Sequence, residues 1–92
     1  MINEQVKRDA LSRLKKIGGQ IRGVCKMIEE EQYCVDILNQ VSAVKNALDG
    51  VSRVILKRHV ESCVADAIMK RQAAGKIEEL MGTIFKYGNH RK

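Results

Sequence analysis

Proline and tryptophan are absent from this 92-residue chain, and its only aromatic residues are Tyr33, Phe85 and Tyr87. Proline is the strongest helix breaker, so its absence permits long helices, and the scarcity of aromatic residues, which are enriched in strands, disfavours a sheet. Alanine, isoleucine, leucine, valine, lysine, glutamate and methionine dominate the composition. We therefore expect an all-α fold in a single domain over residues 1–92, with helices at about 4–30, 34–73 and 76–87. Gly75 is the expected stop just beyond the second helix.

Long apolar runs are also missing. No stretch approaches the roughly 18 residues that cross a bilayer, and the opening sequence MINEQVKRDA lacks the apolar segment of a signal peptide. We expect a cytoplasmic protein without membrane contact, whose cysteines are reduced. Three cysteines are an odd number, which argues against a disulfide framework and leaves packing, metal binding or redox chemistry. No combination of acid, base and nucleophile indicates an enzyme.

Acidic residues are scarce at one end of the chain. The formal net charge is +6, and residues 1–28 hold seven Lys or Arg against two acidic residues, whereas residues 29–69 hold four against seven. Basic residues on a solvated helix face often have no binding role. Because the predicted first helix lacks the acidic residues that would balance them, we predict that it faces a polyanion.

The second predicted helix carries three potential metal ligands. From Met27 to Arg71 the only glycine is Gly50, and apolar positions recur in steps of three and four residues, as on one face of a helix. His59 and Cys63 are four residues apart and therefore point the same way. Cys34 lies 25 residues earlier, about 37 Å along the same helix. One chain cannot close this site, so we predict a dimer with an antiparallel partner helix, which crosses near Ala47 and Leu48 and completes two equivalent sites.

The donor set indicates which metal would fit. A lone buried cysteine is usually a small hydrophobe, and a lone histidine on an apolar face is usually a core residue. Together, two thiolates and one imidazole suit Cu(I), whereas structural Zn(II) normally requires a fourth ligand. Ni(II) favours additional nitrogen ligands, and the only other histidine is His90. The third thiol, Cys25, is expected to serve packing.

Three segments closely resemble the copper-sensing operon repressors called CsoR. They are RLKKIGGQIRG (13–23), YCVDILNQVSAVKNAL (33–48) and CVADAI (63–68), with His59 between the last two. The resemblance implies a three-helix protomer, an antiparallel four-helix-bundle dimer and a homotetramer built as a dimer of dimers. It also implies an operator-binding apo form that releases DNA when Cu(I) binds between protomers. The residues that match the family's ligands are Cys34, His59 and Cys63, and those that match its outer-shell tyrosine and glutamate are Tyr33 and Glu79.

The same resemblance suggests which residues contact DNA. They are Arg13, Lys16, Gln20 and Arg22 on the first helix and Arg53 on the second. Without a recognition helix or stacking aromatics, affinity is expected to come mostly from phosphate contacts and DNA shape.

Related sensors respond to other ligands and differ at identifiable positions. The nickel and cobalt sensors that resemble this chain carry a histidine near the N-terminus and usually another at the position of Cys63. Formaldehyde sensors use an N-terminal proline, and this chain contains none. Persulfide sensors keep both cysteines but lack the histidine. A persulfide or thiol redox-sensing repressor that uses Cys34 and Cys63 is therefore the alternative to copper sensing.

Overall fold

The computed structural model describes residues 2–70 and 73–87, and the chain forms three helices. They are α1 (Glu4–Glu29), α2 (Cys34–Lys70) and α3 (Ala73–Tyr87), and no strand occurs in the described part of the chain. Helices α1 and α3 both pack against α2. The result is a flat plate with principal extents of 58 × 30 × 13 Å. The expected all-α, three-helix protomer is confirmed.

The start of α1 is fixed by an asparagine cap. Asn3 has an extended backbone (φ −97°, ψ 176°), and its side-chain oxygen accepts a hydrogen bond from the Val6 amide at 2.8 Å. The cap satisfies one of the amides that a helix N-terminus leaves unpaired. Glu4, in the first turn, complements the positive end of the helix dipole. The predicted start at Asn3 or Glu4 is therefore correct.

A tight turn reverses the chain between α1 and α2. The amides of Glu31 and Gln32 donate to the carbonyls of Ile28 and Met27, each at 3.0 Å, and Glu31 has a φ of 53°. This residue occupies the left-handed region that terminates many helices and that usually holds glycine. Helix α2 then runs antiparallel to α1, so residues near position 13 of α1 lie beside residues near position 50 of α2.

The predicted junction between the second and third helices is wrong by a few residues. Helix α2 ends at Lys70 and α3 already begins at Ala73, so Gly75 lies inside α3 and is not the residue that ends α2. None of the described glycines has a positive φ. Two consecutive alanines, the strongest helix formers, precede Gly75, and a helix tolerates one glycine at a cost of about 1 kcal/mol.

The protomer has only a thin core. Ala10 and Ile17 of α1 pack against Val51 of α2, with Val44 and Ala47 at the edge, and Ala67 is buried farther along α2. Among the described residues no large side chain is fully buried, and many apolar ones remain exposed, including Ile28, Leu38, Leu48, Ile68, Met69 and Phe85. Exposed apolar area of this extent is typical of a protein–protein interface.

The backbone at Glu31 yields a stability prediction. Glu31→Gly should unfold with a free energy about 0.5–1 kcal/mol larger than Glu31→Ala, because only glycine occupies the left-handed region without steric cost. Urea denaturation at a fixed protein concentration would measure the difference. Glu30, with a φ of −85°, provides the control: there the glycine variant should be the less stable of the pair. If the glycine variant had the larger free energy of unfolding at both positions, or at neither, this account of the turn would be wrong.

Candidate metal centre and nucleic-acid interface

Cys34 occupies the N-terminal end of α2. It is the first residue of the helix and its side chain is exposed. The preceding Tyr33 is also exposed, and its carbonyl accepts the amides of Asp36 at 3.0 Å and Ile37 at 3.1 Å, which closes the first turn. Asp36 adds a negative charge in that turn, where the helix dipole favours it. The hydrogen bonds of the first turn therefore fix the backbone position of Cys34, and its sulfur remains accessible.

His59 and Cys63 lie near the other end of α2. Both are half-buried, and both belong to one uninterrupted helix, so they face the same side one turn apart. The 25 residues between Cys34 and His59 correspond to a rise of about 37 Å in a continuous helix. In the described residues, no three His, Cys, Asp or Glu side chains come close enough to hold a metal ion. The isolated protomer keeps Cys34 apart from the other two predicted ligands.

A groove between α2 and α3 brings Glu79 to the side of His59. Ile55 and Leu56 form its α2 wall, and Thr83 and Tyr87 belong to its α3 wall. The Thr83 hydroxyl donates to the Glu79 carbonyl at 3.1 Å, one turn back along α3. Of the two predicted outer-shell residues, Glu79 shares this groove with His59, whereas Tyr33 lies with Cys34 at the far end of α2.

Two neighbours of His59 were not predicted from the sequence. Tyr87, in the last turn of α3, lines the groove, and Lys86 Nζ lies 5.2 Å from the centre of its ring. Ile2 lies on another side of His59, in a shallow pocket shared with Ile55 and Arg58. The apolar and aromatic pattern of α3 could have indicated Tyr87. No sequence signal pointed to Ile2, because its position depends on how α1 packs along α2.

Most of the predicted DNA-contacting residues lie in one groove between α1 and α2, which we call the basic groove. Arg13, Lys16 and Gln20 line it from α1, and Arg53 lines it from α2. Arg22 stands apart: its guanidinium nitrogens lie over Gly18 and Gly19, where an added methyl group would meet them at 3.6 and 3.7 Å. Four of the five predicted residues thus share a surface, and the fifth lies farther along α1.

The groove also contains residues that sequence reasoning missed. Asp9, Ser12, Asn46 and Gly50 also line it, and Asp9 Oδ1 accepts a hydrogen bond from Arg13 Nε at 2.9 Å. Both partners of this ion pair are about half exposed. The spacing of Asp9 and Arg13, four residues apart on a helix, was a usable signal for the pair. Gly50 gave a weaker signal as the single glycine of α2.

A comparison with known protein families shows to which family this chain belongs. The profile of the metal-sensitive transcriptional repressors matches residues 6–86, which include all three helices almost completely. This chain belongs to that family. The family consists of transcriptional repressors and not of enzymes, as expected from the sequence. No helix in the described residues is long and apolar enough to cross a membrane.

Relatives of this repressor include both copper and nickel regulators. The copper-sensing repressor CsoR of Mycobacterium tuberculosis strain H37Rv is 40% identical over 78 residues, which are 85% of this chain and 66% of that protein. The chain thus spans about two thirds of the length of the mycobacterial CsoR proteins. The crystal structure of CsoR with Cu(I) from Geobacillus thermodenitrificans superimposes with a TM-score of 0.80 at 39% identity, covering 97% of this chain and 93% of that one. The nickel-responsive regulator InrS matches with a TM-score of 0.79 at 35% identity, covering 87% and 90%. The fold is therefore common to regulators of different metals, and the donor atoms must distinguish them.

Proposed function

We propose that this protein is a Cu(I)-responsive repressor, whose apo form binds operator DNA and whose copper-bound form releases it. The observation that carries the proposal is the ligand arrangement on α2: His59 and Cys63 half-buried one turn apart, and Cys34 exposed at the opposite end of the helix. Two thiolates and one imidazole form a soft donor set of low coordination number, which suits Cu(I). Nothing in this set offers the additional nitrogen donors that Ni(II) favours, although one nickel-responsive regulator shares the fold.

The proposed site forms between two protomers. In an antiparallel dimer, Cys34 of one chain lies beside His59 and Cys63 of the other, and two-fold symmetry repeats the site. The exposed apolar side chains of α2, among them Leu38, Val41 and Leu48, provide a surface for the partner helix. A chain of this size with so small a core gains stability by association. We extend the proposal to a homotetramer of two such dimers, acting on double-stranded DNA in the cytoplasm.

The surroundings of His59 supply a route from the metal site to the DNA surface. Glu79 of α3 shares a groove with His59, and Ile2, just before the cap of α1, contacts the same region. Helix α1 carries most of the basic residues that face DNA. A reorientation of the His59 ring on copper binding therefore acts on the helices that flank α2. Copper would then favour a conformation whose α1 helices no longer match the DNA, and by thermodynamic reciprocity DNA must weaken copper binding equally.

Removal of a single ligand should separate DNA binding from copper response. We expect Cys34→Ala and His59→Ala to bind operator DNA like the wild type but to remain bound when Cu(I) is added, because neither residue faces the basic groove. The measurement is fluorescence anisotropy under anaerobic conditions, with duplexes selected by the apo protein from a random-sequence pool. Cys25, which was expected to serve packing, is exposed on α1 of the protomer. Cys25→Ala is therefore the matched control and should still release DNA. Copper-dependent release from either ligand variant would contradict the scheme.

Mixing two inactive variants should test whether the site spans protomers. Cys34→Ala keeps His59 and Cys63, and a His59→Ala, Cys63→Ala variant keeps Cys34, so a mixed dimer has one complete site and one empty site. Unfolding and refolding the two together should restore tight Cu(I) binding to at most one site per mixed dimer, whereas each variant alone has none. Anaerobic titration against a competing Cu(I) chelator would count the sites. If mass spectrometry verifies that the subunits have exchanged and tight Cu(I) binding is still not recovered, the proposal that the site spans two protomers is wrong.

A further inference from the structure

The single glycine of α2 lies where two arginines meet. A methyl group placed on Gly50 would lie 3.1 Å from Arg13 Nη1 and 4.0 Å from Arg53 Nη2, so both guanidinium groups approach the same point of the α2 backbone. Gly50 is buried, whereas both arginines are exposed. Glycine within a helix costs about 1 kcal/mol relative to alanine. An added methyl group would oblige the Arg13 guanidinium to move by a few tenths of an ångström, so glycine leaves space for that side chain.

Two guanidinium groups that approach one point favour the binding of an anion there. Asp9 is the only carboxylate among the described residues that line the groove, and it binds the Nε edge of Arg13 at 2.9 Å. In the described part of the chain, Arg53 forms no salt bridge. Lys16 adds a third positive charge to the same groove. A phosphate group matches this arrangement, because guanidinium groups bind its oxygens with paired, charge-assisted hydrogen bonds.

From this geometry we infer that Gly50 and Asp9 are positioning residues for a DNA phosphate. Gly50 allows Arg13 and Arg53 to converge on one phosphate, and Asp9 occupies Arg13 until that phosphate displaces it. The carboxylate thereby acts as an internal competitor that lowers the affinity for DNA of any sequence. This inference rests on the proposed DNA-binding function and adds two residues to the predicted interface.

The competitor is tested by neutralising Asp9. Asp9→Asn should bind a mixed-sequence DNA duplex about fivefold more tightly than the wild type, because Arg13 no longer has to leave an ion pair. Glu29→Gln, also on exposed α1 surface, changes the net charge equally and should have a much smaller effect. In an Arg13→Ala background, Asp9→Asn should tighten binding no more than Glu29→Gln does. Fluorescence anisotropy at several salt concentrations gives all these affinities.

The glycine is tested by a variant that should be at least as stable as the wild type. Gly50→Ala displaces the flexible end of Arg13 and should weaken duplex binding about fivefold, with a shallower dependence on salt. Its thermal unfolding midpoint should stay equal or rise, because alanine is the better helix former. Cu(I) stoichiometry should also be unchanged. A loss of DNA affinity without a loss of stability separates a positioning role from a purely structural one.

The outcomes distinguish the phosphate clamp from DNA binding in general. Equal tightening by Asp9→Asn and Glu29→Gln, an Asp9→Asn effect that persists without Arg13, or wild-type affinity in Gly50→Ala would each overturn the clamp while leaving the repressor function intact. If the wild-type apo protein fails to bind any duplex at low salt, the proposed function itself fails, and the clamp fails with it. An affinity gain that depends on Arg13, together with weakened binding by Gly50→Ala, supports the inference.

Discussion

The rigidity of one long helix is the constraint on which the rest of this structure depends. A continuous α2 from Cys34 to Lys70 holds its first residue about 37 Å from His59, and no side-chain rotation can shorten that distance. The same helix provides the surface against which α1 and α3 both pack. The protomer is consequently a plate without a closed interior, and the three proposed metal ligands, two thiols and one imidazole, are divided between the two ends of α2. Under the proposed dimer, assembly and ligand binding become one structural requirement, because the partner that covers the apolar face also delivers the missing thiol.

Sequence patterns predicted the three helices, because helix formation depends on residues that are close together in the chain. The absence of proline and, in α2, the three- and four-residue spacing of apolar positions predicted the helices and most of their ends. Gly75 was misassigned because glycine is ambiguous: it terminates a helix where the backbone turns left-handed and is tolerated within one where it does not. The two alanines before it favoured early initiation of α3, and that preference outweighed the signal of a single glycine.

The site was predictable only as far as it depends on spacing along one helix. The i, i+4 pair of His59 and Cys63 and its separation from Cys34 follow from helix geometry alone. Side chains that reach the site from other helices depend on tertiary packing, which explains why Ile2 and Tyr87 beside His59 were missed. Glu79 was identified only through the family resemblance. In the basic groove, Arg13 and Arg53 were identified through the family resemblance, whereas the role inferred for Gly50 depends on the Arg13 side chain that reaches it from α1.

Under the proposed function, the contact between α1 and α2 lies between the basic groove and the surroundings of His59, and it offers a way to couple the two. Residues 10–17 of α1 pack on residues 44–51 of α2, and the basic groove opens directly beside this contact. Some eight residues farther along α2, His59 lies under the start of α1 at Ile2. The contact buries few side chains, so a small shift of α1 along α2 sacrifices little apolar area. Such a shift would nevertheless alter where Arg13 meets Arg53, because one arginine belongs to each helix. Under the proposed function, such a thin interface would suit a switch, because an event at His59 would displace α1 at little cost in buried apolar area.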